Sequence, residues 1–216
     1  MTLETWLAFF AAATVVLVVP GPTILFVISE SATNGRRSVV PLTAGVALGD
    51  LTAMTLSLAG MGALLAASAT LFNIVKWIGA LYLIYLGIRM WRSSPIAPKS
   101  DPPPASVRTP GIRRVTRRSL FTAAFTITAL NPKSIAFFTA FMPQFIAPEK
   151  QRVPQLIVLG GTFLVAAAIN AALYGTFAAR FGEAVHHPVK RRWFNRIGGT
   201  VLISVGALTA ATRRSV

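Results

Sequence analysis

The sequence predicts an all-α polytopic membrane protein, on three observations. Hydrophobic residues make up 54% of the 216-residue chain and charged residues only 12%, and the apolar residues are spread along its whole length. The uncharged stretches 5–29 and 153–179 contain 25 and 27 residues, more than the ~20 that a helix needs to cross a bilayer. The basic residues lie between the apolar stretches. Several helices should therefore cross a membrane.

Hydropathy divides the chain into six transmembrane helices. The predicted spans are Thr5–Ser29, Val39–Ala67, Leu71–Trp91, Leu120–Ala147, Pro154–Arg180 and Phe194–Thr212. The boundary between the second and third spans is predicted from small polar residues alone, Ser68, Thr70 and Asn73, because residues 51–75 carry no charge. Five crossings are the alternative.

The distribution of basic residues predicts the orientation. With six spans, fifteen Lys and Arg residues fall on one side of the membrane and five on the other. Short cytoplasmic loops retain Lys and Arg. Both termini are therefore predicted to lie outside the cytoplasm.

Residues 92–118 combine six prolines with seven basic residues and one acid, a composition that cannot build a packed core. We interpret them as a cytoplasmic linker between a first unit, residues 1–91, and a second unit, residues 119–216. The net charge of +15 is concentrated in such loops, so it indicates contact with anionic lipid headgroups and no nucleic-acid partner.

The two units share a sequence pattern in their third helices. Residues 78–87 (IGALYLIYLG) align without a gap with residues 197–206 (IGGTVLISVG). Units with an odd number of crossings must be inverted relative to each other, as in many secondary transporters. The predicted fold is therefore two inverted three-helix repeats.

Proline motifs predict breaks in the first and fourth helices. Pro20-Gly21-Pro22 removes backbone donors and permits non-helical dihedral angles. In Asn131-Pro132-Lys133-Ser134, Asn131 suits the N-cap and Pro132 the first helical position. Each break would start a half-helix inside the membrane, with unpaired N–H groups that suit a carboxylate. Simple kinks are the alternative.

Three of the polar side chains inside the predicted spans are candidate site residues: Asp50, Lys133 and Asn170. Ionisable groups in hydrocarbon are costly and mark functional sites by default. Asp50 would face a substrate ammonium or a transported proton, and a structural ion pair with Lys133 is the alternative. Asn170 would line a cavity or bond between helices.

Other functions find less support in the sequence. There is no nucleophile beside a base, His186-His187 lacks metal-ligand spacing, and the chain has no cysteine, so we expect neither an enzyme nor a cofactor. A channel is harder to separate from a transporter, although broken helices in inverted halves favour the latter.

The motifs resemble a known family. Met1-Thr2-Leu3-Glu4, Pro20-Gly21-Pro22, residues 45–50, residues 76–83 with Gly87, and Asn131-Pro132-Lys133-Ser134 followed by Pro143-Gln144-Phe145 are similar to those of the LysE/RhtB superfamily, in particular its homoserine and threonine efflux branch. This resemblance implies a bacterial inner-membrane protein that exports amino acids or relatives, driven by the proton gradient.

The predicted function is export of a zwitterionic amino acid or derivative by proton antiport. Its ammonium would meet Asp50, which also takes the coupling proton, and its carboxylate would meet the half-helix starts after Pro22 and Pro132, assisted by Lys133. An exporter, facilitator or channel for another small solute is the alternative, and a non-transporting scaffold is a third. The sequence leaves open whether the chain forms a homodimer.

Overall fold

The computed structural model describes residues 1–92, 116–147 and 149–181, together with residues 196, 199, 200, 202–204, 206, 207 and 209–211. Every element in these ranges is helical, in agreement with the predicted all-α class. The predicted basic linker lies almost entirely outside the described residues, and so does His186-His187.

The first predicted span is broken at the proline motif. Helix α1 (Leu3–Val18) and helix α2 (Pro22–Asn34) meet at an angle of 53°. Gly21 is the N-cap of α2 and Pro22 its first residue, where the missing N–H of proline costs no hydrogen bond. The predicted break is confirmed.

The predicted boundary between the second and third spans is also a helix boundary in the structure. After a 3₁₀ turn at Arg36–Ser38, helix α3 covers Val39–Ala67 and helix α4 covers Ala69–Arg92. The Ser68 hydroxyl accepts a hydrogen bond from the N–H of Leu71 at 3.3 Å, as a helix-starting serine does. The uncharged stretch is therefore two helices.

The fourth predicted span consists of several short pieces. Helix α5 (Arg117–Ala129) is followed by helix α6 (Pro132–Ala136), a π-helical turn at Phe137–Phe141 and a 3₁₀ turn at Met142–Phe145. The break falls at Asn131, as predicted. Helix α7 (Arg152–Phe181) follows, and a shorter apolar helix, α8, runs over Leu202–Ala211.

Two helices of the described chain are long and apolar enough to cross a membrane, Arg36–Ala63 and Arg152–Arg180, and the bent pair α1–α2 makes a third if it counts as one span. Of the other predicted crossings, the third corresponds to α4, which carries Lys76 and Arg89. The fourth predicted crossing is divided into short helical segments. Six crossings therefore remain a prediction.

Glycines on α3 bring it into close contact with α5. A Cβ on Gly45 would lie 2.5 Å from the carbonyl oxygen of Phe121, and one on Gly49 would lie 2.7 Å from the Cβ of Thr128. Only a residue without a side chain permits this approach. Asp50 follows Gly49 directly, so its position is fixed by a tight helix pair.

Helices α4 and α8 pack through a reciprocal pair of glycine contacts. A Cβ on Gly87 would meet the carbonyl oxygen of Gly199 at 2.6 Å and the side chain of Ile203 at 2.7 Å. A Cβ on Gly206 would meet the carbonyl oxygen of Ala80 at 2.7 Å and the side chain of Ile84 at 2.6 Å. In the alignment of residues 78–87 with residues 197–206, Ala80, Ile84 and Gly87 correspond to Gly199, Ile203 and Gly206. The contact of Gly87 and the contact of Gly206 therefore involve equivalent residues, and the two helices are antiparallel.

Two apolar clusters pack on either side of the helix breaks. The aromatic cluster holds the rings of Phe9, Phe137, Phe138, Phe141, Phe145 and Phe163. The aliphatic cluster holds Ile24, Val27, Leu42, Val46, Leu120, Ala124 and Ala171. Phe163 of the first cluster and Ile24 and Val46 of the second line one cavity, so both clusters border it.

Candidate functional site

A small cavity lies where the two broken helices meet. Its polar lining comes from five helices and consists of Thr23, Asp50, Thr128, Asn131, Lys133, Ser134 and Asn170. Water-sized molecules reach about 40 Å³ of it, which is room for a few waters.

Asn131 connects the two helix breaks. Its side-chain oxygen accepts a hydrogen bond from the N–H of Lys133 at 3.0 Å, which caps the start of α6. Its side-chain amide donates to the Thr23 hydroxyl in the first turn of α2 at 3.1 Å. Asn131 is buried, and so is its hydrogen bond to Thr23, so a single side chain holds α2 beside α6.

The ammonium of Lys133 binds the end of α1. Nζ donates to the carbonyl oxygens of Val16 at 2.6 Å and Val19 at 2.9 Å. A Cβ on Gly21 would lie 3.5 Å from Lys133 Cδ, so the lysine stem passes directly over the glycine of the break. Two of the three ammonium protons are therefore used within the protein.

Four consecutive carbonyls at the end of α1, those of residues 16–19, each accept a hydrogen bond from a side chain. We call them the α1 carbonyl end. Besides Lys133, Asn170 Nδ2 donates to Leu17 at 3.0 Å and the Tyr174 hydroxyl donates to Val18 at 2.8 Å. Helix ends leave such carbonyls without intrahelical partners and carry the negative end of the dipole. A cation and two neutral donors here replace the water that a membrane lacks.

Asp50 presents an incompletely satisfied carboxyl group to the cavity. The residue is only 3% exposed, and its Oδ1 has no hydrogen-bond partner among the residues that the structure describes. Ser134 and Lys133 of α6 line the same cavity, and the Lys133 ammonium attracts the carboxylate. A buried acceptor without a donor is costly, so this oxygen is suited to a donor that arrives with a ligand.

The structure brings most of the predicted site residues together. Gly21, Asp50, Asn131, Lys133 and Asn170 all line the cavity. The predicted prolines, Pro20, Pro22 and Pro132, are not among its lining residues and act through the backbone, since Pro22 and Pro132 open α2 and α6. The two hydrogen bonds that the Lys133 ammonium donates go to backbone carbonyls, so the predicted pairing with Asp50 is an attraction across the cavity.

Sequence reasoning missed four polar residues of this region, one of which, Thr128, lines the cavity from α5. Thr23 and Ser134 line the cavity, and each lies one or two residues after a break proline. Tyr174 binds the α1 carbonyl end from outside the cavity, and it follows Asn170 by four residues, which places both on one face of α7. Within the residues described, no three His, Cys, Asp or Glu side chains approach closely enough to hold a metal ion.

Comparison with known proteins gives a family for this arrangement. Residues 14–212 match the LysE type translocator model. The chain belongs to the LysE family. It is 32% identical over 215 residues to the homoserine/homoserine lactone efflux protein of Salmonella typhimurium, with all of both chains covered. It is 33% identical over 213 residues to a membrane protein of Vibrio cholerae, covering 99% of this chain and 100% of the relative.

Membership in the LysE family confirms the resemblance and makes the chain a membrane translocator. The same efflux protein of Salmonella typhi is also 32% identical over 215 residues. No solved structure matches the chain. A translocator is consistent with the expectation that the chain is not an enzyme.

Proposed function

We propose that this LysE-family translocator exports a small amino acid or amino-acid derivative of the homoserine type in exchange for protons. The observation that carries the proposal is the unpartnered Oδ1 of buried Asp50 beside the Lys133 ammonium in one cavity. A zwitterion has the complementary pair of charges. Its ammonium would supply the donor that Oδ1 lacks, and its carboxylate would face Lys133 and the start of α2.

The start of α2 suits the carboxylate better than the start of α6. Asn131 already caps α6 with its side chain, whereas the N-cap of α2 is Gly21 and offers no side-chain cap. Lys133 lies over this glycine. A carboxylate here would therefore meet both an uncapped helix start and an ammonium. This assigns to Lys133 and to Gly21-Pro22 the recognition role that the sequence suggested.

Asp50 is also our proposed site of proton coupling. A carboxylate that binds the ammonium cannot hold a proton at the same time, so the two cations would compete for one group. Protonation of Asp50 from the outer side would then favour release of the substrate there. This competition is the simplest form of antiport at a single site.

We propose six crossings in two inverted repeats as the framework. The reciprocal contacts of Gly87 and Gly206 support this, because a two-fold relation between α4 and α8 would produce them. The antiparallel course of α4 and α8 also fits a 3 + 3 arrangement. We also propose a location in a bacterial inner membrane, which the family resemblance implies, with both termini outside the cytoplasm, which the loop charges support.

The substrate class comes from the names of the relatives. Two of them are homoserine/homoserine lactone efflux proteins, and both compounds carry an ammonium group. Homoserine has a free carboxylate, whereas its lactone has none. We therefore propose that the ammonium is the feature the site requires and that Asp50 recognises it.

Counterflow in proteoliposomes tests the proposal. Purified protein would be assayed with labelled homoserine, homoserine lactone, threonine, leucine and lysine, with and without an imposed pH gradient. We expect exchange of homoserine and its lactone, accelerated by the gradient. Exchange that the gradient does not change would contradict proton antiport, and exchange of none of them by folded protein would favour another solute.

A further inference from the structure

The side chains that donate hydrogen bonds to the α1 carbonyl end differ in whether they line the cavity. Lys133 and Asn170 reach it from the lining of the cavity, whereas Tyr174 is not among the lining residues. A ligand in the cavity could thus compete for the first two contacts but not for the third. Of the first two, Lys133 is the charged one.

Lys133 also joins distant parts of the chain. It belongs to α6, and the carbonyls that it binds lie 117 and 114 residues earlier, at the end of α1. The contact therefore connects the broken helix of the first unit to that of the second. Breaking it would leave the hydrogen bonds that Asn170 and Tyr174 of α7 donate to the α1 carbonyl end.

A carboxylate is a stronger acceptor for an ammonium than a backbone carbonyl, because both partners are charged. Asp50 of α3 attracts the Lys133 ammonium. A substrate ammonium at Asp50 would reduce this attraction. The substrate carboxylate would then offer Lys133 a new partner on the cavity side.

We propose that Lys133 is a positioning residue that latches α1 to α6 in the ligand-free protein, and that a substrate carboxylate releases the latch by drawing its ammonium away from Val16 and Val19. The inference rests on the proposed function. It predicts that one site handles two ammonium compounds differently: homoserine frees the end of α1, whereas the lactone leaves it held and crosses more slowly.

Hydrogen–deuterium exchange on the full chain in nanodiscs tests the latch. The peptide to follow covers residues 14–19, with no ligand, with homoserine and with homoserine lactone, each at a concentration that saturates its counterflow. We expect homoserine to speed amide exchange in this peptide by about tenfold, the effect of losing roughly one charged hydrogen bond. The lactone should leave the amide exchange rate of this peptide unchanged within experimental error. Equal responses to both compounds would overturn the inference.

Counterflow by Lys133→Met separates a latch from a simple carboxylate contact. In Lys133→Met the contact between α6 and the end of α1 is absent. Amides of residues 14–19 should then exchange rapidly even with no ligand, and the lactone should be transported as fast as homoserine. If Lys133 only binds the carboxylate, homoserine transport falls to the lactone rate and ligand-free exchange stays as in the wild type, which overturns the inference. Lys133→Arg should restore the wild-type difference between the compounds.

Tyr174→Phe is the matched control, because it removes a hydrogen bond to the same helix end from outside the cavity. It should keep the difference between homoserine and the lactone. If Lys133→Met does not fold, the wild-type exchange data with the two ligands still decide. Wild-type protein that carries neither compound overturns the proposed function together with the latch, whereas equal exchange responses with working counterflow overturn the latch alone.

Discussion

The side-chain amide of Asn131 donates a hydrogen bond to the hydroxyl of Thr23 across 3.1 Å, and this contact joins the two helix breaks. The two residues are 108 positions apart and both are buried. Asn131 is the N-cap of α6, and Thr23 is the second residue of α2. This hydrogen bond therefore fixes the position of one helix break relative to the other.

We expect this contact to contribute measurable coupling energy. Asn131→Ala should destabilise the protein by about 1–2 kcal/mol through loss of the cap and of the bond to Thr23. Asn131→Ser keeps an oxygen for the cap and should lose less. A double-mutant cycle with Thr23→Val, followed by thermal unfolding in detergent, isolates the pair. Strictly additive effects of Asn131→Ala and Thr23→Val would show that the bond contributes nothing.

Asp50→Asn should reduce homoserine counterflow by at least about tenfold, because the ammonium loses a charged partner worth roughly 1.5–3 kcal/mol. The remaining exchange should not respond to a pH gradient, since an amide does not take up the coupling proton. Thr52→Val is a control on the same helix, because the Thr52 hydroxyl donates its hydrogen bond to its own helix backbone at Leu48. Gradient-driven transport by Asp50→Asn at the wild-type rate would rule out the coupling role.

Tyr174→Phe should lower stability modestly. It removes one neutral hydrogen bond to Val18, which is worth about 1 kcal/mol, with a further cost because the carbonyl is left without a donor. Thermal unfolding would measure the effect, and Phe177→Leu, at a half-exposed position three residues along α7, provides a comparison. An unchanged melting temperature for Tyr174→Phe would show that water satisfies the carbonyl.

The contact between α3 and α5 should be intolerant of a methyl group. Gly49→Ala places a Cβ 2.8 Å from the carbonyl oxygen of Phe125, so the helices must separate, at a cost of about 1–3 kcal/mol. Gly161→Ala is the control, because no atom of the described residues lies within 4 Å of its Cβ and alanine favours a helix by up to about 1 kcal/mol. Melting temperatures of the two variants should therefore move in opposite directions.

The reciprocal contacts of α4 and α8 lead to a symmetric expectation. Gly87→Ala and Gly206→Ala should destabilise the protein to a similar extent, about 1–3 kcal/mol each, because each Cβ meets a carbonyl oxygen and an isoleucine of the other helix. Gly62→Ala, in open space, is the control. A large effect at one position and none at the other, measured by thermal unfolding, would argue against a two-fold relation.

The helix breaks could be predicted from the sequence because their causes are local. Pro22, Pro132 and Asn131 act on their own backbone, and Ser68 marks the boundary of α4 in the same way. Asp50 and Lys133 stood out because charges are rare in the predicted spans. Local chemistry and burial cost were thus sufficient to select these residues.

The partners of these residues could not be predicted from the sequence. The sequence pointed to Asp50 or a substrate carboxylate for Lys133, whereas its hydrogen bonds go to the carbonyls of Val16 and Val19. A backbone carbonyl has no sequence signature. Its need for a donor becomes visible only once the end of α1 and the approach of α6 and α7 are known. Long-range backbone contacts of this kind depend on the tertiary fold.

The π-helical turn at Phe137–Phe141 has a consequence for how this protein could change over evolution. Such a turn contains one residue more than an α-helical turn, so it behaves as a single inserted residue. Deleting one residue there would rotate everything that follows by about 100° relative to Lys133. Phe141 and Phe145 would then leave the ring packing around Phe9. Along this segment, natural variation should therefore proceed by substitution, with chain length held constant.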